Sequence, residues 1–289
     1  MAAGFCVLLS LWYVLPGSTW RVVWLDAADG GYRNLGDVPW LFDVLGGVRP
    51  ATVLGVMLVT GVAGLGVMLG AWTRASTVVA LIGFNSLIRI NLHDGSAYDS
   101  MLTNLLLLLC FSGAGATWSV DAKRTIGRWT PSVQIAAWPR RMLILQLILC
   151  YWSTGVQKVS IHWLPGGGEA ALYYILQDRM WQRFDMAWVA GVYPVTRFAT
   201  AFTWLFEVLA PLWLVARWFQ HTPEKKGRVR RMFNRLRVNH LFFWSGIGLH
   251  LGILAFMIVG PFSLVMLAYY PLLLAGGSRG GMTKYPSAE

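Results

Sequence analysis

The stretch TVLGVMLVTGVAGLGVMLGAW, residues 52–72, contains no charged residue and no proline. As a helix it is long enough to cross a bilayer, since about 20 mainly apolar residues cover the hydrocarbon layer. It has company. Apolar segments also fall at 2–16, 76–92, 100–116, 136–157, 198–216, 239–259 and 261–276. Eight spans at about 20 residues each would take roughly 160 residues, leaving short connections and no room for a separate soluble domain. No ten-residue apolar–polar alternation of the β-barrel kind recurs, and a backbone in lipid must satisfy its own hydrogen bonds, so helices are the reading. The predicted fold is an all-α integral membrane protein, a polytopic bundle of about eight transmembrane helices forming one domain over residues 1–289. The segment from Ala2 to Pro16 lacks the basic start and small-residue cleavage site of a signal peptide and is read as a short first span.

Composition agrees. Of 289 residues 56% are hydrophobic and 13% charged, against about a quarter charged in a soluble domain. The net charge of +11 does not point to nucleic acid, because no basic and aromatic binding module is recognisable and the cations collect between apolar runs. Assigning connections alternately to two sides gives one side 16 basic residues: Arg74, Lys123, Arg124, Arg128, Arg140, Arg141, eight from Arg217 to Arg237, Arg279 and Lys284. The other side receives eight: Arg21, Arg33, Arg49, Arg89, Lys158, Arg179, Arg183 and Arg197. The positive-inside rule then predicts a multi-pass cell-membrane protein with both termini cytoplasmic. Residues 217–238 become a basic cytoplasmic loop beside anionic headgroups. Cys6, Cys110 and Cys150 lie in apolar stretches, where a thiol acts as a small hydrophobe and a disulfide framework is not expected. No metal-ligand spacing appears.

Function is sought where lipid makes polarity expensive. An ionisable group near the bilayer centre costs about 2.5–3.5 kcal/mol on insertion scales, which makes it a functional candidate unless helix packing accounts for it. Glu207, in TWLFEVLAPLWL, is expected mid-span, and His250, in GIGLHLGILAF, near the middle of the seventh span. Arg89, Asn91, His93, Asp94, Tyr98 and Asp99 crowd the hairpin between the third and fourth segments; a solvated hairpin with internal ion pairs would do the same. Helical spacing puts Tyr151, Thr154 and Lys158 on one face, so the ammonium either enters a pocket or snorkels to the interface. Gly166 to Gly168 lack the ending of a phosphate loop and read as a flexible turn.

Several ordered blocks resemble the HTTM domain family, the membrane domain that includes vitamin K-dependent γ-carboxylase and many bacterial proteins. YWSTGVQKVSIHW, residues 151–163, is similar to a carboxylase segment of form Y-x-x-x-G-V-x-K-x-x-x-x-W. WSVD at 118–121 matches a similar tetrapeptide, and HLGILAFMIVGPFSLVMLAYYPLL from His250 looks like the carboxylase span that begins with a histidine. The resemblance implies that Lys158 is a catalytic base, with His250 beside it. Tyr151, Trp163, Glu207, Arg89, His93, Asp94, Tyr98 and Asp99 would line a substrate or cofactor pocket. It also implies a hydroquinone of the menaquinol or vitamin K type, a peptide or small-molecule substrate, and the lipid bilayer as partner. In HDGSAYDSML the match weakens. Tyr98 stands where the carboxylase carries a functional histidine, and His93 is out of register. Nothing after the last apolar segment matches the large lumenal domain that holds the carboxylase's protein substrates, so glutamate carboxylation is not expected to transfer.

A lysine base must be neutral when it acts. Starting near pKa 10.4, it needs a drop of about 3 units, roughly 4 kcal/mol of preference for the amine, to work near pH 7. Desolvation in a pocket can provide that. The alternative is a non-enzymatic transport, export or toxin-maturation subunit in which Glu207 and the outer carboxylates only stabilise helix packing. Family membership alone does not separate the two.

Overall fold

The structure is a computed structural model that describes residues 1–32, 34–131, 133–222, 224–274 and the backbone of 282–284. Arg33, Arg279 and the side chain of Lys284, all counted in the charge asymmetry, lie outside the described residues. Every apolar segment meets a helix: α1 (Ala2–Val14), α2 (Pro50–Leu69), α3 (Thr73–Ile88), α4 (Ala97–Cys110), α5 (Trp138–Gln157), α6 (Tyr193–Val208), α7 (Pro211–His221), α8 (Val238–Phe256), α9 (Phe262–Leu267) and α10 (Tyr270–Leu274). Shorter helices lie in the connections, and Gln134–Ala136 pairs antiparallel with Met282–Lys284.

One segment read as a single span is broken and another bends at its end, with proline at each bend. The segment 198–216 divides into α6 and α7, bent by 58°, and α1 turns by 68° into Pro16–Trp24. A proline lacks the N–H for the helical ladder and clashes with the preceding turn, but is well suited to the first turn of a new helix, where Pro211 sits. Glu207 occupies the last turn of α6, next to the bend. Among the described residues, α2 and α8 are long and apolar enough to cross a membrane alone, and the bent pairs would make four. α3, α4 and the stretch 262–274 are apolar but shorter.

The chain forms two compact units. Unit 1 comprises residues 1–143, 260–268 and 278–289; unit 2 comprises 144–259 and 269–277. In unit 1, α2 packs against α1 and α3, and α4 against α1, α3 and α9. The inward face of α2 carries Val53, Val56, Met57, Thr60, Ala63, Gly64 and Val67, a spacing close to the helical repeat. Its outward face is no more polar: Leu58 is 69% exposed and Val62 61%, with Leu54, Leu65 and Leu69 alongside. A helix on a water-facing surface would carry charged or polar residues there, so hydrocarbon is the solvent that suits it.

The WSVD block has a structural task in unit 1. Ser119 caps the short helix Val120–Ile126 by accepting from the Ala122 N–H at 2.9 Å. Asp121 accepts from the Trp72 N–H at 2.9 Å and from both the N–H and the hydroxyl of Thr73 at 2.7 Å. That satisfies the first donors of α3, which would otherwise lack partners. Burial works to raise the Asp121 carboxyl, but these three donors outweigh it and hold it below the usual carboxylate range.

In unit 2, α6 packs against the helix Ala171–Gln177 and against α8, and α8 against α7 and α10. The basic stretch 217–238 contains a helix, Arg228–Arg235. Arg230 folds back against α7, donating to the carbonyls of Phe219 at 2.9 Å and Thr222 at 2.7 Å.

Candidate functional site

The polar centre of unit 2 is built on the end of α5. Lys158 follows the last residue of that helix, and its ammonium makes an ion pair with Glu207 on α6. Nζ also lies 3.5 Å from the Thr154 carbonyl and 5.0 Å from the centre of the Trp163 ring. The lysine side chain keeps 20% of its exposure and the glutamate 10%. The ammonium therefore does not snorkel away; it is held by a carboxylate and an aromatic face. What permits the approach is Gly155. A Cβ at that position would stand 2.8 Å from the Glu207 Cβ and 2.8 Å from the Val208 nitrogen, closer than side chains pack. Only a residue without one lets α5 and α6 meet beside the pair.

Two turns back on α5, Tyr151 joins a second, sealed group. Its hydroxyl lies 2.6 Å from His250 Nε2 on α8 and 2.8 Å from the Tyr270 hydroxyl on α10. All three are buried, His250 at 1% exposure, Tyr151 at 3% and Tyr270 at 2%. Phe206 packs edge-on to the Tyr151 ring at 5.1 Å and stacks on Phe242 at 4.8 Å. A Cβ on Gly246 would overlap the Tyr270 hydroxyl, so this glycine also sets the geometry. Over about two helical turns, roughly 10 Å, α5 runs from a dry hydrogen-bonded triad to a partly accessible ion pair. Chemistry that meets an incoming group belongs at the Lys158 end. The triad ties α5, α8 and α10 together and is buried on all three sides.

Tyr151, Lys158, Trp163, Glu207 and His250 are thus brought into one unit on adjoining turns and helices. The remaining candidates lie in unit 1. Asp94, Tyr98 and Asp99 line a cavity of about 20 Å³ together with Ser10 and Trp24, which is room for about one water. Asp99 serves there as a cap, accepting from the Ser96 N–H at 2.8 Å at the start of α4. Burial pushes the Asp94 carboxyl up from its ordinary range. Asn91 is tied to the Val23 carbonyl at 3.0 Å and to the Tyr32 hydroxyl at 3.1 Å. Arg89 faces a different and larger cavity, and His93 lines neither.

Three residues of the unit 2 centre escape the sequence reading: Tyr270, Phe206 and Gly155 as a contact point. Tyr270 had a signal, since a phenol inside an apolar segment needs a partner. Gly155 had one too, as a small residue one turn before a charged one on a membrane helix. The triple glycine is also more ordered than a flexible turn. Tyr193 donates to the Gly168 carbonyl at 2.6 Å, and Glu169 pairs with Arg197 at 2.6 Å.

A family model described as the HTTM domain matches residues 1–275. No solved structure matches the chain.

Proposed function

The chain belongs to the HTTM domain family, and from that premise we propose that it is a membrane-embedded enzyme whose reaction begins with proton abstraction at Lys158. The observation that carries this reading is the Lys158–Glu207 pair beside the Trp163 ring, an ion pair that combines burial of both partners with a remaining opening. Tyr151, Gly155, Lys158 and Trp163 are also the residues on which the resemblance to the carboxylase segment rests. Topologically, the reading takes the eight helical segments as crossings with both termini cytoplasmic, in line with the positive-inside rule.

Glu207 is the part of the mechanism that the resemblance alone does not supply. A carboxylate in contact favours the ammonium form of its partner, and an ammonium cannot take up a proton. Transfer within the pair, giving amine and carboxylic acid, changes no net charge and is helped by the low-dielectric surroundings that penalise two ions. Glu207 would thus hold the lysine's proton while the amine receives one from an acidic hydroxyl or substrate carbon. The residues present fit a hydroquinone at this end: an amine to deprotonate a phenolic hydroxyl and an indole face for a flat ring. Bound there, such a group would supply the reducing equivalents for oxygen activation. His250, Tyr151 and Tyr270 would position α5 and keep water from the inner end. The substrate is a peptide or small molecule.

A second reading has its own support, because a satisfied ion pair at a helix crossing is also what packing alone requires. Oxygen uptake by the purified protein with added hydroquinone separates the two. Lys158→Ala and Lys158→Arg should both abolish turnover. Glu207→Gln should also lower turnover, because an amide cannot take the lysine's proton. Unchanged turnover in both lysine variants sinks the base assignment. Dependence on a partner protein without quinol or oxygen consumption would favour the transport, export or maturation subunit.

A further inference from the structure

Unit 1 carries a second cavity that the Lys158 chemistry does not use. It measures about 450 Å³ and is lined by Asp37, Val38, Pro39, Trp40, Asn85, Ser86, Arg89 and Leu92, within the size range of small-ligand sites. Asn85, Ser86 and Arg89 come from the last turn and cap of α3. Ser86 is 1% exposed and its hydroxyl has no hydrogen-bond partner, a costly arrangement unless something else supplies one. Arg89 and Asp37 face the same cavity, yet among the described residues neither forms an ion pair, with each other or with any other group. Complementing the carbonyl end of α3 accounts for a cation at 89. It does not account for the bare hydroxyl, and Asp37 adds an exposed carboxylate to the same lining.

Opposite charges on the lining of one cavity, unpaired with each other, are complementary to a ligand that carries both. We propose that this cavity binds the zwitterionic headgroup of a membrane phospholipid. Arg89, with the Asn85 amide and the Ser86 hydroxyl, takes the phosphate oxygens, for which a guanidinium offers two parallel donors. Asp37 accepts from the ammonium, with the Trp40 ring beside it as a further cation-binding face. Placement favours lipid as the source. α3 runs between Arg74 and Arg89, about 22 Å apart along a helix axis, so Arg89 sits where an apolar helix ends and headgroups begin. The rim continues the apolar surface, with Trp40 61% and Leu92 73% exposed. The proposal rests on the membrane placement of α3 and not on the Lys158 reaction.

Native mass spectrometry of the full chain in detergent, titrated with phosphatidylethanolamine, phosphatidylglycerol and soluble glycerophosphoethanolamine, tests it. Arg89→Gln should weaken both lipids about tenfold or more, with Arg89→Lys intermediate, because a bidentate charged contact is lost. Asp37→Asn should weaken phosphatidylethanolamine by a similar factor and leave phosphatidylglycerol within about twofold, since only the former brings an ammonium. Should Arg89→Gln not fold, Asp37→Asn on its exposed segment carries the test by itself. Phosphatidylethanolamine binding equal to wild type in the variants that fold overturns the site. Glycerophosphoethanolamine binding as tightly as the lipid overturns the lipid source in favour of a soluble zwitterion. Wild-type protein that does not float with phosphatidylcholine vesicles overturns the membrane placement itself, independently of headgroup preference and of any result at Lys158.

Discussion

Replacing Gly155 by alanine sets two effects of opposite sign against each other. Within an α-helix the change is favourable by about 0.5–1 kcal/mol, because glycine loses more backbone freedom on folding. At this position the new methyl would stand 2.8 Å from the Glu207 Cβ, 2.8 Å from the Val208 nitrogen and 3.0 Å from the Glu207 carbonyl carbon. Carbon contacts are comfortable at about 3.5–4.0 Å, so α5 and α6 must part by roughly 0.7 Å or more. Two of the three obstacles are backbone atoms, which cannot swing aside. Overpacking of this kind costs about 1–3 kcal/mol, leaving a net loss of up to about 2.5 kcal/mol, about 1 kcal/mol at the middle of both ranges, and a loosened Lys158–Glu207 pair. Gly252, inside α8 with open space where a Cβ would go, has the helix term alone and should gain about 0.5–1 kcal/mol as alanine. Thermal unfolding in one detergent, followed by tryptophan fluorescence, compares them: the Gly155→Ala midpoint should fall and the Gly252→Ala midpoint rise. A Gly155→Ala protein as stable as Gly252→Ala would refute the close crossing, and with it the physical basis of the ion pair.

The pair itself predicts non-additivity. Lys158→Met or Glu207→Leu alone leaves a charge in a largely apolar site, a loss that reaches about 3–5 kcal/mol for fully buried pairs and is smaller here because the lysine keeps 20% exposure. The double variant should recover most of it in the same unfolding assay; losses that simply add would mean the two side chains do not interact. At Asp121 the folded-state carboxyl is held below its ordinary range, so its contribution is complete above about pH 4, the unfolded value, and is lost as pH falls through the lower folded value. Asp121→Ala should cost about 1–2 kcal/mol at neutral pH, typical of a lost cap, and should flatten the acid limb of stability. An unchanged acid limb would show that the α3 cap rests on other groups.

Each apolar segment read from the sequence meets a helix, because apolar length is a one-dimensional signal that lipid enforces directly, although two to four of the described helices or bent pairs are long and apolar enough to cross a membrane. The sequence located the breaks less well. Pro16 and Pro211 were visible, yet an apolar run reads the same whether or not it bends, and the bend puts Glu207 at the end of a helix, where the run alone would continue it. The site divides similarly. That Tyr151, Thr154 and Lys158 share a face follows from helical periodicity alone, and the structure keeps them in line. Which partner each finds depends on contacts between helices far apart in sequence, and no local pattern encodes that Lys158 meets Glu207 or that Tyr151 meets both His250 and Tyr270. The hairpin candidates look alike in sequence because all are polar and close together, but folding separates them: Asp99 becomes a cap, Asn91 a tether, and Arg89 turns to another cavity.

Glu207 is where these strands join, because its position decides what kind of residue Lys158 is. Had the ammonium snorkelled, it would keep its hydration and its charge, and no pocket would be needed. Held by a carboxylate at a helix bend, with one turn of α5 opened by Gly155 to let it in, its charge depends on a neighbour whose own protonation is set by the same dry surroundings. Two ions in such a place are stable only as a pair, and a pair can also rest as two neutral groups at modest cost. A packing role requires only the first of these states. A base requires access to the second, so the turnover of Glu207→Gln, in which no carboxylate can take the proton, distinguishes a lysine that anchors α6 from one that moves protons.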